Sequence, residues 1–231
     1  MKGWKTLAAV GVLGLALAGS DGKAQLLVWD VSGDNSPVEL TADVLIDANL
    51  SLAPANNKLT RVGVIQNTGA NSYNSRNWNI TNTFDENDKY ITFQLQPVSG
   101  FQMTLTSLQY AINGSNTGPG TGRWGYRVGS GPFTLQTPFN IPFTLGPTLA
   151  TWDFPDFTTD QLVEFRFWAY GSTSINGGTS GVNGTVRIGN IAGNDLILNG
   201  STEIIPEPST AVLLVLGLLG AYQFSRRRFA Q

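Results

Sequence analysis

The sequence predicts an all-β body built as a two-layer sandwich, and three features carry that prediction. Short runs of β-branched and aromatic residues alternate between two faces with a period of two. Stretches rich in Gly, Asn, Ser and Thr separate these runs. No segment of the body keeps a helical period over a useful length. About ten strands in roughly 180 residues, joined by long loops, point to a sandwich of jelly-roll type.

The chain opens with a segment that does not belong to this body. Lys2 and Lys5 precede an apolar run from Leu7 to Leu17, which is too short to span a bilayer. Small residues follow in the pairs Ala16/Ala18 and Gly22/Ala24, each with one residue between. This is the pattern of a cleaved secretory signal over residues 1–24, with cleavage after Ala18 as the alternative. Cleavage after Ala24 is preferred because the strand-like run Leu26-Leu27-Val28-Trp29 begins directly behind it.

The body, residues 25–204, follows in strands. The first is expected over 26–31. Residues 41–49 read equally as strand or short helix, and 61–66 as strand. Tyr90 to Gln96 places Ile91, Phe93 and Leu95 on one face and Thr92, Gln94 and Gln96 on the other. From Phe101 the apolar positions fall at 101, 103 and 105, then at 108, 110 and 112. That single change of phase near Thr106-Ser107 predicts a β-bulge. Strands are further expected over 123–128, 133–137, 149–154, 185–191 and 195–198. The clearest is Leu162 to Tyr170: Val163, Phe165, Phe167 and Ala169 share one face, while Glu164, Arg166, Trp168 and Tyr170 share the other. Residues 67–77, 113–122 and 172–184 read as loops.

The last segment, 205–231, is built differently again. Pro206-Glu207-Pro208 leads into apolar residues from Ala211 to Tyr222 and then into Arg226-Arg227-Arg228. Pro206 and Pro208 push their preceding residues towards extended backbone. Extended past Gln223 to Phe224, the apolar run is about 14 residues, short of the ~20 a spanning helix needs, and snorkelling of Arg226 offsets part of the difference. The arginines hold this end in the cytoplasm and leave the body outside the inner membrane. A turn motif, a hydrophobic stretch and a basic cluster in this order resemble the sorting tail of the PEP-CTERM family of exported bacterial proteins. The resemblance implies export by the general secretion machinery, recognition of Pro206, Glu207 and Pro208 by a membrane-embedded exosortase, and delivery to the cell surface or extracellular matrix. The plain alternative is an ordinary short anchor.

The body also resembles jelly-roll ectodomains of that group. The matching stretches are Leu27-Val28-Trp29-Asp30-Val31, Asn77-Trp78, the aromatic strand from Val163 to Gly171, and the closing segments 185–191 and 196–200. The group usually carries an Asp in the closing strand where this chain has Gly189 or Asn190. That departure weakens any carry-over of a ligand or metal role.

Composition narrows the chemistry. The body holds eight Lys/Arg against fourteen Asp/Glu, a net charge of −6, which argues against nucleic acid as a partner. The chain has no Cys and no His. Ser-His-Asp and Cys-His machinery and His-ligated metals are thereby excluded. Carboxylate chemistry, calcium binding or a non-catalytic role remain, and the expectation is a protein that is not an enzyme.

Four groups of residues are candidates. Asp85, Glu86 and Asp88, with Asn87, form the densest oxygen cluster and are the candidate for a structural calcium; the bland reading is a polar turn. Asp30, Asp34, Asn35 and Ser36 are a weaker calcium candidate. Asp153, Asp156 and Asp160 offer the paired carboxylates a glycosidase needs, which makes a glycan hydrolase or lyase the alternative reading. The aromatics Trp168, Tyr170, Trp124, Tyr126 and Trp78 are candidates for stacking on sugar rings of an extracellular polysaccharide. The competing reading places them in the core, since a sandwich buries aromatics from both layers. A self-associating adhesin that pairs through exposed strand edges is a further alternative.

Overall fold

The computed structural model describes residues 24–45, 49–51, 58–146, 148–189 and 191–205. The leader at 1–23, the motif Pro206, Glu207, Pro208 and the basic residues Arg226, Arg227, Arg228 lie outside the described residues.

The described residues are all-β, with no helix among them. The strands run in order as β1 (Ala24–Trp29), β2 (Leu40–Thr41), β3 (Val44–Leu45), β4 (Leu50–Ser51), β5 (Lys58–Val62) and β6 (Ile65–Gln66). Then come β7 (Ser72–Arg76), β8 (Tyr90–Pro97), β9 (Phe101–Tyr110), β10 (Ile112–Gly114), β11 (Pro119–Val128) and β12 (Thr134–Leu135). The remainder are β13 (Phe139–Asn140), β14 (Ala150–Thr159), β15 (Val163–Ser174), β16 (Val186–Gly189) and β17 (Leu196–Ile204).

These strands form three antiparallel sheets. The first has the order β14-β9-β17-β1-β3 and the second β10-β16-β7-β6. The third runs β12-β11-β15-β8-β5-β2, with β13 added on β11 and β4 on β8. One continuous core joins all three. Leu105, Leu108 and Leu198 come from the first sheet, Tyr73 and Ile188 from the second, and Phe93, Phe165 and Phe167 from the third. Rings from the first and third sheets meet across the interior: Trp29 lies 4.8 Å from Phe93, and Tyr110 lies 5.8 Å from Trp124. This is the two-layer burial a sandwich requires.

The expected phase change in β9 is present. Asn199 faces Ser107 and Gly200 faces Leu105, so Thr106 is the unpaired extra residue against β17. On the other side, Asp153 faces Ser107 and Phe157 faces Leu105, so β14 also leaves its ladder opposite Thr106. The bulge therefore kinks three strands together.

Two expectations need correction. Residues 67–77 are not simply a loop, because they contain β7. Its sequence Ser-Tyr-Asn-Ser-Arg is polar, yet β16 and β6 pair with both of its edges and four of its five residues are buried. Residues 113–122 contain the end of β10 and the first residues of β11. Gly114, Gly118 and Gly120 pack there against neighbouring backbone and Ile175, where any Cβ would meet an atom at 3.0 Å or less.

Candidate functional site

The five candidate aromatics divide unequally. Trp124, Tyr126 and Trp78 belong to the interior. Trp124 lies 5.2 Å from Phe167 and Tyr126 stacks 4.6 Å from Phe157. Trp78 meets Phe167 at 5.7 Å and donates from Nε1 to the Ser75 carbonyl at 2.9 Å. Trp168 projects from the opposite face of β15, but that face is covered too, and the residue is 2% exposed. Phe84 and Phe133 pack edge-on against it at 5.3 and 5.4 Å, and its Nε1 donates to the Glu86 carbonyl. Period-two alternation gives the face of a residue correctly but does not say whether a loop covers that face. Tyr170 alone of the five is partly exposed, 5.4 Å from Phe84. Trp168, Trp124, Tyr126 and Trp78 thus present no open ring to a sugar, which corrects the expectation of an aromatic platform.

The covering segment explains the acidic cluster at 85–88. The Asp85 carboxylate accepts the Asn87 N–H at 2.8 Å, and the Asp88 N–H reaches the Asp85 carbonyl. The Glu86 carbonyl accepts from both Arg166 Nη1 and Trp168 Nε1. The turn is therefore a strap across Arg166 and Trp168, fastened through backbone. Asp85 and Glu86 are exposed and Asp88 partly so. Among the described residues no group of three or more acidic side chains is placed to hold a metal ion, and Asp85, Glu86 and Asp88 form no such group.

Beneath the strap runs a charged seam. Glu164, 4% exposed, receives Arg166 Nε on one oxygen and Arg127 Nε on the other, each at 2.6 Å. Thr92 Oγ1 donates to the Phe165 carbonyl at 2.8 Å and lies 3.2 Å from Glu164 Oε1. The Arg166 guanidinium lies over the rings of Tyr90 and Phe133, at 4.0 and 4.7 Å. The carboxylate is fully engaged, so the seam is structural.

The remaining acids lie elsewhere. Asp153, Asp156 and Asp160 are all exposed, two of them on the edge strand β14. Asp30 and Asp43 serve the turn after β1, accepting the N–H groups of Ser32 and Asp30 respectively. Ser36 is fully buried, with its hydroxyl engaged by Asn74 and Arg61, and is no free ligand. Asp195, absent from the expected site residues, is buried beside this corner and accepts from the Val31 and Ile191 N–H groups. Burial, opposed by those hydrogen bonds and reinforced by Asp30 and Asp43, pushes its carboxyl up to about 6.

An open cleft of about 330 Å³ lies at one end of the sandwich, lined by Tyr110, Ile112, Phe139, Pro142 and Leu145. Gln136 Nε2 donates to Tyr110 Oη at 3.1 Å. Its described lining holds no carboxylate. Sequence reasoning missed it. The usable signal was Pro138 and Pro142, which interrupt regular pairing where the chain turns away from β11.

Gly189, one of the two closing-strand positions singled out in the sequence, has no room for a side chain. Its φ is +105°, and a Cβ there would lie 2.0 Å from Val31 Cγ2. An Asp has neither the backbone freedom nor the room at this position. No protein-family profile matches the chain, and no curated protein matches it.

Proposed function

We propose that this is an exported, non-catalytic bacterial surface or matrix protein with a jelly-roll-type body, sorted through its C-terminal tail by an exosortase. The observation that carries the reading is the placement of the two ends of the body. β1 and β17 are antiparallel neighbours, with Ala24 opposite Gly200. The four residues beyond Gly200, up to Ile204, extend only ~13 Å at ~3.3 Å per residue. The signal segment and the sorting tail therefore join the body at the same end of one sheet. A body held at a membrane by both segments during export has this geometry.

The chemistry of the body supports a binding role over catalysis. Among the described residues its buried carboxylates are Glu164, neutralised by two arginines, and Asp195, held by backbone N–H groups. Asp153, Asp156 and Asp160 lie open to solvent. The destination is the cell surface or the surrounding polysaccharide, which is the partner proposed after release from the inner membrane.

Intact-mass measurement by cell fraction tests this. The surface or medium form is expected to lack about the first 24 residues and everything beyond the Pro206–Pro208 motif. A full-length tail retained in the inner membrane would make the protein an ordinary anchored domain.

A further inference from the structure

The cleft at the end of the sandwich is an opening into the space between its layers. Tyr110 closes β9, Ala150 opens β14, and the two are paired. Tyr110 points into the core, and Ala150 lies on the same face of β14 as the core residue Trp152. From the other sheets, Ile112 on β10 joins the core and Phe139 on β13 packs against it. Four core-facing positions, drawn from all three sheets, therefore line one cleft. It sits where the margins of the sheets meet, since β14 and β10 are edge strands and β13 flanks β11.

Ala150 keeps this end open. The next core-facing positions of β14 carry Trp152 and Phe154 and are buried, whereas Ala150 is exposed. A methyl group there leaves about 330 Å³, at the low end of the ~300–1,000 Å³ of small-molecule sites. The remaining wall is firm. Phe139 packs against Tyr110 at 5.4 Å and Phe167 at 6.5 Å. It also lies on Gly122, where a Cβ would meet its Cζ at 2.7 Å. Such a wall needs no ordering when a ligand arrives, which keeps the entropic cost of binding low.

The lining selects a class of occupant. Tyr110, Ile112, Phe139, Pro142, Leu145 and Ala150 make an apolar floor. Asn140 and Thr148, both exposed, put an amide and a hydroxyl at the mouth. Burial raises the Tyr110 pKa, so its hydroxyl stays neutral at ordinary pH. No described lining residue carries a charge, so an ion would give up hydration there without gaining a partner. An acyl chain would leave the amide and the hydroxyl unused. A neutral ring with apolar C–H faces and hydroxyls on its rim matches both parts of the cleft.

The position suits a polymer outside the cell. β17 ends at Ile204, opposite Phe101 at the start of β9. Tyr110 ends that same strand, ~30 Å away at ~3.3 Å per residue. The cleft therefore opens at the end of the sheet remote from the sorting tail. We propose that this cleft binds a neutral hexose unit of an extracellular polysaccharide, with the C–H face of the sugar on the apolar floor and its hydroxyls on Asn140 and Thr148. The choice of a polysaccharide as the source rests on the matrix reading above; the cleft and its neutral lining do not depend on the export route.

The test uses the full chain in phosphatidylcholine nanodiscs, titrated calorimetrically with cellotetraose, maltotetraose and tetragalacturonate. A neutral tetrasaccharide is expected to bind and the uronate is not, with an affinity unchanged between ~0.1 and ~1 M salt. Ala150→Trp fills the cleft from an exposed position; it should keep the wild-type melting temperature and abolish binding. Asn140→Ala should weaken binding about threefold or more. Should Ala150→Trp melt early, Asn140→Ala decides alone. Binding of neither neutral sugar, tighter binding of the uronate, or wild-type affinity in either variant overturns the proposal. Sugar binding lost in Tyr170→Ala but kept in Ala150→Trp would remove the cleft while sparing the matrix reading. Failure of the tail to be processed would remove the export route while leaving sugar binding as measured.

Discussion

Two buried carboxylates of this protein have opposite fates. Glu164 is gripped by Arg127 and Arg166, so its charge is compensated where it lies. Asp195 has two backbone N–H groups but no cation, and Asp30 and Asp43 repel it. Its carboxyl titrates near 6 in the folded state, above the 3.8 of an unfolded aspartate. Protonation therefore favours the fold, and the stability associated with this group is greatest below about pH 4 and is lost as pH rises through about 6. Asp34 is shifted upward by the same corner, in the same sense. Asp195→Asn should melt with a flatter pH profile than the wild type between pH ~4 and ~7, since only the wild type must ionise a buried group. Parallel profiles for the two proteins would mean that Asp195 carries its charge without cost.

At the scale of the elements, the bulge at Thr106 fixes how β14, β9 and β17 fit. Gly200 sits at this kink, where a Cβ would lie 2.1 Å from the Thr104 carbonyl and 2.8 Å from Leu26 Cδ1. Both neighbours belong to the central ladder and have little room to move. Gly200→Ala should cost about 1–3 kcal/mol, read as a lower denaturant midpoint with unchanged slope. Much of this level was legible in the sequence. The apolar rhythm of residues 101–112 announced the bulge, and that of 162–170 announced β15. What escaped was β7, because Ser, Asn and Arg carry no strand signal and acquire one only from pairing on both edges. The site was far less legible. The aromatics stood out by type, but their burial depends on Phe84, Phe133 and the 85–88 strap, which reach them from distant parts of the chain.

For the whole molecule, sheet edges decide whether copies associate. Most are short: β3, β6, β12, β13 and β2 have two residues each. β10 is longer but its Gly114 N–H is taken by the Pro142 carbonyl. β14 is the long edge, and Pro155, the acids Asp153 and Asp156 and its departure from the ladder opposite Thr106 all blunt it. The body, residues 25–204, should therefore sediment as a monomer up to ~100 µM, a working concentration at which transient edge pairing becomes visible. A concentration-dependent rise in mass would favour the self-associating alternative. The position of β1 has a further consequence, in time rather than in space. This first strand lies between β3 and β17, so the partner on one side is the last strand, about 170 residues away. Closing so long a loop has to precede the contacts that reward it. The five-stranded sheet cannot assemble from the nascent amino-terminal half alone. Folding of this sheet therefore waits for the whole body to be made, and on the export route proposed above the chain would stay threadable until its last strand had crossed.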